Sequence, residues 1–180
     1  MFNKKIILSI LVVGFVCTAV GSATWASFTD TKTGTGNQIT AGTLSLNVNG
    51  ANTIITPFNF PTIAPGFNQP ETVTFANVGS IPGTLSLNVK NKVETPGLDG
   101  ITDLGNNLKV TITSGAVTLL PTTSVNALTN PISLGNLAAT GTNGDTKSIV
   151  ITFSVDTAVG NNIQGDGCTF DMEYNLAQTV

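Results

Sequence analysis

Ser148-Ile149-Val150-Ile151-Thr152-Phe153-Ser154-Val155 decides the fold. Ile149, Ile151, Phe153 and Val155 recur every second residue, which is the spacing of a strand with one face in a core. The pattern repeats outward in both directions. Downstream, Thr169 to Leu176 alternates through Phe170, Met172, Tyr174 and Leu176. Upstream, Leu108–Thr113, Thr84–Val89, Thr72–Phe75 and Thr43–Val48 alternate in the same way. Ala116 to Leu120 reads as a further strand, and Ile132 to Leu137 as a short edge strand. Thr53 to Phe60 is a mixed apolar run.

The intervening segments read as turns. Pro61 to Gly66 is one, with Pro65-Gly66 its strongest signal, and Asn77 to Ser80 is another. Residues 91–107, rich in Gly, Asp, Asn and Pro, read as a long loop with room for a helical turn around Asp103 to Leu108. Pro121 to Pro131 reads as irregular. No run of a dozen residues sustains a helical period beyond the N-terminal segment. The chain is therefore expected to be all-β, an antiparallel sandwich of jelly-roll type, with an immunoglobulin-like arrangement as the alternative. The matching segments at 42–48 and 83–89 reflect shared strand patterning rather than a duplication, because nothing around them repeats.

Composition excludes much chemistry. The chain has 180 residues, 9% of them charged, no histidine, and seven lysines with no arginine. Imidazole metal sites, Ser-His-Asp and Cys-His catalysis and arginine clamps on phosphate are out of reach. A net charge of −3 argues against nucleic acid as a partner.

Met1 to Ala26 reads as a cleaved secretory signal peptide. Lys4 and Lys5 give the positive start, Ile6 to Val20 the apolar run, and Gly21 to Ala26 the small-residue end. That run is shorter than the ~20 residues a membrane span needs. Cleavage is expected between Ala26 and Ser27, with a cut after Ala23 as a second choice and a retained anchor as the alternative. A lipoprotein does not fit, since Val16 precedes Cys17 where a small residue is needed. A type IV pilin does not fit either, since no glycine separates Lys5 from Ile6. After cleavage five lysines face ten carboxylates, Cys168 is the sole cysteine, and no intramolecular disulfide can form. Stability must come from packing or from assembly.

Candidate sites are few. Asp99, Asp103, Asn106 and Asn107, with Asp166 and Asp171 further on, are oxygen donors at close spacing and suit calcium. The run lacks the Asp-x-Asp-x-Asp-Gly cadence, and such residues are also the default turn formers. Asp145, Asp156, Asp171 and Glu173 are the carboxylates available for glycoside hydrolysis, but the sequence puts no pair in one cleft. Leu120-Pro121-Thr122-Thr123-Ser124 has the look of a sorting motif, yet it is internal, lacks the glycine and has no apolar tail behind it. Asn-x-Ser/Thr does not occur. Lys109 and Lys147 are the lysines that an isopeptide crosslink to an asparagine would use. No cofactor and no metal are expected.

Ordered short motifs carry a family resemblance. Trp25-Ala26-Ser27-Phe28-Thr29-Asp30 precedes Ile39-Thr40-Ala41-Gly42-Thr43-Leu44-Ser45-Leu46. Then come Ile63-Ala64-Pro65-Gly66, Phe75-Ala76-Asn77-Val78-Gly79-Ser80, and Asn161-Asn162-Ile163-Gln164-Gly165-Asp166 ahead of Phe170. The set resembles the TasA and camelysin family. The resemblance implies a secreted major subunit of extracellular filaments, biofilm matrix fibres or bundling pili, with a jelly-roll-like sandwich. It also implies donor-strand complementation, in which the segment freed by signal cleavage adds a strand to a neighbouring copy. Camelysins have been described as metalloproteases, but the sequence lacks His-Glu-x-x-His, so that activity is not carried over. The low charge and missing arginine depart from many members.

The segment 27–38 suits that role physically. Its first nine residues, Ser27, Phe28, Thr29, Asp30, Thr31, Lys32, Thr33, Gly34 and Thr35, hold one aromatic and four β-forming threonines. They are too polar to make a core of their own but can pair along an open sheet edge. Twelve extended residues reach about 40 Å at ~3.3 Å each. Pairing of this strand within its own domain is the alternative. The expected organisation is thus 1–26 signal peptide, 27–38 donor segment and 39–180 sandwich. The expected partners are other copies of the chain and minor or anchoring fibre subunits, with no membrane contact after cleavage. The expected location is the cell surface. A monomeric adhesin on the same fold, and a secreted hydrolase, are the competing functions.

Overall fold

The computed structural model describes residues 4, 5, 8, 11, 41–51 and 58–178. The signal peptide's apolar run, the Ala26–Ser27 cleavage site and the donor segment 27–38 lie outside the described residues. The chain divides into two compact units, Met1–Thr40 and Ala41–Val180. In the first, Lys4, Lys5, Leu8 and Leu11 are helical and exposed. No helix among the described residues is long and apolar enough to cross a membrane.

The second unit is an antiparallel β-sandwich, as the alternation requires. Its described strands are β1 (Leu46–Val48), β2 (Asn68–Asn77), β3 (Gly83–Thr95), β4 (Leu108–Ser114), β5 (Val117–Ser124), β6 (Ile132–Leu137), β7 (Thr146–Val155) and β8 (Gly167–Gln178). One sheet has the order β1-β2-β7-β4-β5, the other β6-β3-β8. The chain changes sheet on passing from β2 to β3, β3 to β4, β5 to β6, β6 to β7 and β7 to β8. This repeated crossing is the wrapped connectivity of a jelly roll.

The residues quoted first sit at the centre. Ile149 and Ile151 are fully buried, Phe153 and Val155 nearly so, while Val150, Thr152 and Ser154 point to the outer face. Leu85 and Leu87 of β3, Val110 and Ile112 of β4 and Phe75 of β2 meet them in the core. β4, β7 and the first half of β3 bury every second side chain, so the area-driven gain of burial comes with their polar residues on the outer face.

The structure departs from the sequence reading in three places. Residues 91–95 belong to β3 rather than to a loop. The strand continues past a register shift between Lys90 and Val93 and pairs on to Gly167. Outside the core its side chains are mostly polar and, apart from Glu94, exposed, with Val93 the one apolar residue, so no apolar alternation marks it. β5 runs through Pro121 to Ser124, followed by a 3-10 turn at Val125–Ala127, where irregular chain was expected. Pro121 is tolerated because β5 is an edge and its pairing with β4 shifts register there. β1 is only three residues: Thr43 to Ser45, expected in the strand, bond instead to the turn at Val78 to Ile81, and Asn49-Gly50, both at positive φ, turns the chain back and joins Val48 to Ala51. The helical turn is found at Leu104–Asn107 and the edge strand at Ile132–Leu137, as expected.

Candidate functional site

The acidic residues are committed to the fold. Asp166 accepts the backbone N–H groups of Gly97 at 2.7 Å, Asp103 at 2.8 Å and Leu104 at 3.0 Å. Glu94 accepts from the Gly105 N–H at 2.9 Å and the Asn126 amide at 2.7 Å. These two carboxylates lock the 97–107 loop onto the sandwich. Asp99 accepts from Ile101 and Asp171 from the Asn91 side chain. Of the residues weighed for calcium, Asp166 and Asp99 thus fasten loop and turn backbone, and Asp171 ties β8 to Asn91. Asp145 and Asp156 cap turns at opposite ends of β7, and Asp171 and Glu173 stand on the exposed face of β8. No cleft pairs two of them for hydrolysis.

The described lysines of the sandwich are equally occupied. Lys109 donates to the Asn106 carbonyl at 3.0 Å and Lys147 to the Leu134 carbonyl at 2.8 Å. Main-chain carbonyls hold both ammonium groups, which is not the Lys-Asn-acid cluster an isopeptide needs. Lys92 reaches the carbonyls of Val125, Asn126 and Leu128. The sorting-like Leu120–Ser124 segment is part of β5. Cys168 is free and half-buried; burial, and then the nearby Glu94, push its thiol pKa up, with Lys92 opposing.

Sequence motifs singled out above prove to be joints. Asn77 is 1% exposed. Its amide donates to the carbonyls of Ile81 at 2.7 Å and Ala138 at 2.9 Å, and its oxygen accepts the Gly79 N–H at 2.9 Å. A Cβ on Gly79 would collide with the backbone of Thr43 to Ser45, so glycine is required for that close approach. Ser80 Oγ accepts the Thr43 N–H at 2.9 Å. Val78 N–H donates to the Ser45 carbonyl and Ile81 N–H to that of Thr43. The Phe75–Ser80 motif therefore grips the chain where it enters the sandwich. Sequence reasoning read Asn77–Ser80 as a turn and Phe75–Ser80 as a family motif, and did not foresee this joint.

Sheet edges are where strands could be added, and they differ. β5 carries Pro121 and irregular register. β6 is kinked at Gly135, beside which Lys147 covers the Leu134 carbonyl. β1 is short. β8 is 12 residues long, has no Pro or Lys, and among the described strands pairs only with β3. Its inward side chains Phe170, Met172 and Tyr174 are only half-buried, although Tyr174 packs on Phe75 at 4.9 Å and Phe170 on Phe153 at 6.4 Å. Long unguarded edges with apolar flanks are what natural sheets avoid leaving open.

A search of curated proteins finds no match. A family profile matches residues 1–180, and its description names a metallo-endopeptidase. The residues do not fit such a metal centre. The sequence has no histidine, and no three Cys, Asp or Glu side chains converge among the described residues. Asp166 and Glu94 of the loop cluster already accept three and two N–H bonds from the protein. The match covers the whole chain and agrees with the ordered motifs: the protein belongs to the camelysin metallo-endopeptidase family.

Proposed function

We propose that the protein is a structural subunit of an extracellular filament and not a peptidase. Export removes residues 1–26. The freed segment, Ser27 to Thr35, then adds as a strand to a neighbouring copy, and the addition repeats head-to-tail. Such heterologous contacts do not close, so they produce a fibre. The observation that carries this reading is the long β8 edge, which holds no Pro or Lys and among the described strands pairs only with β3, with its half-covered apolar face. Family membership supports a secreted, structural role, and a chain without histidine lacks the usual ligands of a peptidase zinc. Other copies of the chain are the partners, with minor or anchoring subunits at the ends.

The test is electron microscopy of surface material from cells making the full gene product and a version lacking Ser27–Thr35. The expected result is filaments in the first case and a soluble, folded species in the second. A folded monomer in the first case would overturn the reading and favour a surface binding domain. Unchanged filaments in the second would remove the donor assignment. Chelator-sensitive proteolysis by purified filaments would restore the peptidase.

A further inference from the structure

The chain holds two Asn-Gly dipeptides, Asn49-Gly50 and Asn143-Gly144. Asparagine is chemically labile in water, most of all before glycine. The next main-chain nitrogen attacks the side-chain amide, and glycine has no side chain to block the approach. Both dipeptides lie in exposed turns, with Gly50 and Gly144 at positive φ. The fold treats them differently.

Asn49 is pinned. Its Oδ1 accepts the Thr74 N–H at 2.9 Å, and its own N–H donates to the Thr74 carbonyl at 2.7 Å. Two main-chain bonds between Val48 and Ala51 close the hairpin around it. Its amide must give up the Thr74 bond before it can react with the Gly50 nitrogen.

Asn143 is not pinned. Its side chain is exposed and has no hydrogen-bond partner among the described residues. The Gly144 N–H has none there either. A Cβ placed on Gly144 would meet only the Ala138 Cβ, at 3.9 Å, so the way to this nitrogen is open.

The turn that holds Asn143 also props the Asn77 joint. The Asp145 carbonyl accepts the Asn77 N–H at 2.8 Å, and the Ala138 carbonyl accepts the Asn77 side-chain amide at 2.9 Å. Thr140 N–H donates to the Gly79 carbonyl. The turn keeps its shape through the Ala138 N–H on the Gly144 carbonyl and the Gly141 N–H on the Asp145 carboxylate.

We infer that Asn143 is a self-modification site, and that its deamidation loosens the Asn77 joint. The Gly144 nitrogen gives its proton to water and bonds to Asn143 Cγ. The bond from Cγ to the amide nitrogen breaks, and ammonia leaves with a proton returned by water. The cyclic imide that remains is opened by a second water. Cutting the ring nitrogen from Cγ gives aspartate. Cutting it from the main-chain carbonyl carbon gives isoaspartate, whose backbone is longer by one carbon. Either product sets a new carboxylate beside Asp145, and isoaspartate also shifts the Gly144 carbonyl away from the Ala138 N–H.

The test ages the chain, purified from the cells that make it, beside its Asn143→Gln variant at mildly alkaline pH. Each is kept folded and, separately, unfolded in urea. Peptide mass spectrometry follows the change from amide to acid at both dipeptides, and urea unfolding follows stability. In the folded chain Asn143 is expected to convert about tenfold faster than Asn49, the factor that one hydrogen bond to be broken first puts on a rate. In urea the two rates should converge. The aged chain should lose urea midpoint while the aged Asn143→Gln variant keeps it. Equal rates in the folded chain, or a faster Asn49, would overturn the site. So would an Asn143 that stays intact in the folded chain while the unfolded chain converts. An unchanged midpoint after full conversion would overturn the coupling to the joint.

Discussion

At the scale of single residues, Asn77 and Tyr174 are the most informative. Asn77 sits in the core only because each of its polar atoms is used. Asn77→Ala leaves two carbonyls and one N–H without that partner. The expected loss is roughly 2–4 kcal/mol, since an unmet buried group costs ~1–3 kcal/mol. Urea unfolding measures it as a drop in midpoint at constant slope; a loss under about 0.5 kcal/mol would mean water replaces the side chain freely. Tyr174 is the single tyrosine, so its absorbance near 295 nm reports one site. Burial raises its phenol pKa from 10.0 to about 12. The folded state disfavours the phenolate, so the unfolded chain ionises first. This contribution to stability is whole below pH 10 and is lost as pH rises toward 12. Tyr174→Phe should flatten that part of the alkaline unfolding curve, and an unchanged curve would locate the loss elsewhere. Neither role is legible in sequence. Asn77 looks like any turn asparagine, and nothing local announces that the chain at Thr43–Ser45 will come back against it.

At the scale of elements, legibility follows burial. β7, β4 and the first half of β3 were plain because a core on one face imposes alternation. The end of β3 was hidden because it pairs with β8 beyond the core, where main-chain bonds and polar side-chain contacts rather than apolar burial keep it extended. β5 was hidden by Pro121, which normally argues against a strand. The Asn49-Gly50 turn was a readable signal, a dipeptide suited to two residues at positive φ, and it sets where β1 ends. The open β8 edge was not readable at all, since edges are set by topology rather than by the strand's own residues. Pro121 also has a use. It withholds a donor N–H on an otherwise complete edge, and prolines are a common guard there. Pro121→Thr should leave the circular dichroism of the folded chain unchanged and increase side-to-side association, seen as concentration-dependent light scattering. Equal scattering at matched concentrations would show that register irregularity alone blunts β5.

At the scale of the whole molecule, the scarcity of charge bears on how copies meet. In the sandwich, Lys90 pairs with Glu173 at 2.5 Å, and Lys92, Lys109 and Lys147 end on main-chain carbonyls. Glu94, Asp99, Asp145, Asp156 and Asp166 accept backbone N–H groups. Few charges are left to join one copy to another. An assembly built this way rests on strand hydrogen bonds and apolar cover, and its residual electrostatics are repulsive: from Ser27 on, five lysines face ten carboxylates. Raising ionic strength from about 10 to 150 mM shortens the screening length from ~30 to ~8 Å. Filament growth followed by light scattering should therefore be unchanged or modestly faster in salt. Copies held by ion pairs would behave oppositely, because salt screens the attraction as well. A tenfold slowing, or release of subunits from formed filaments at 150 mM, would show that charge pairs across the interface carry the binding. The β8 edge would then be secondary to a surface contact between acidic and basic groups.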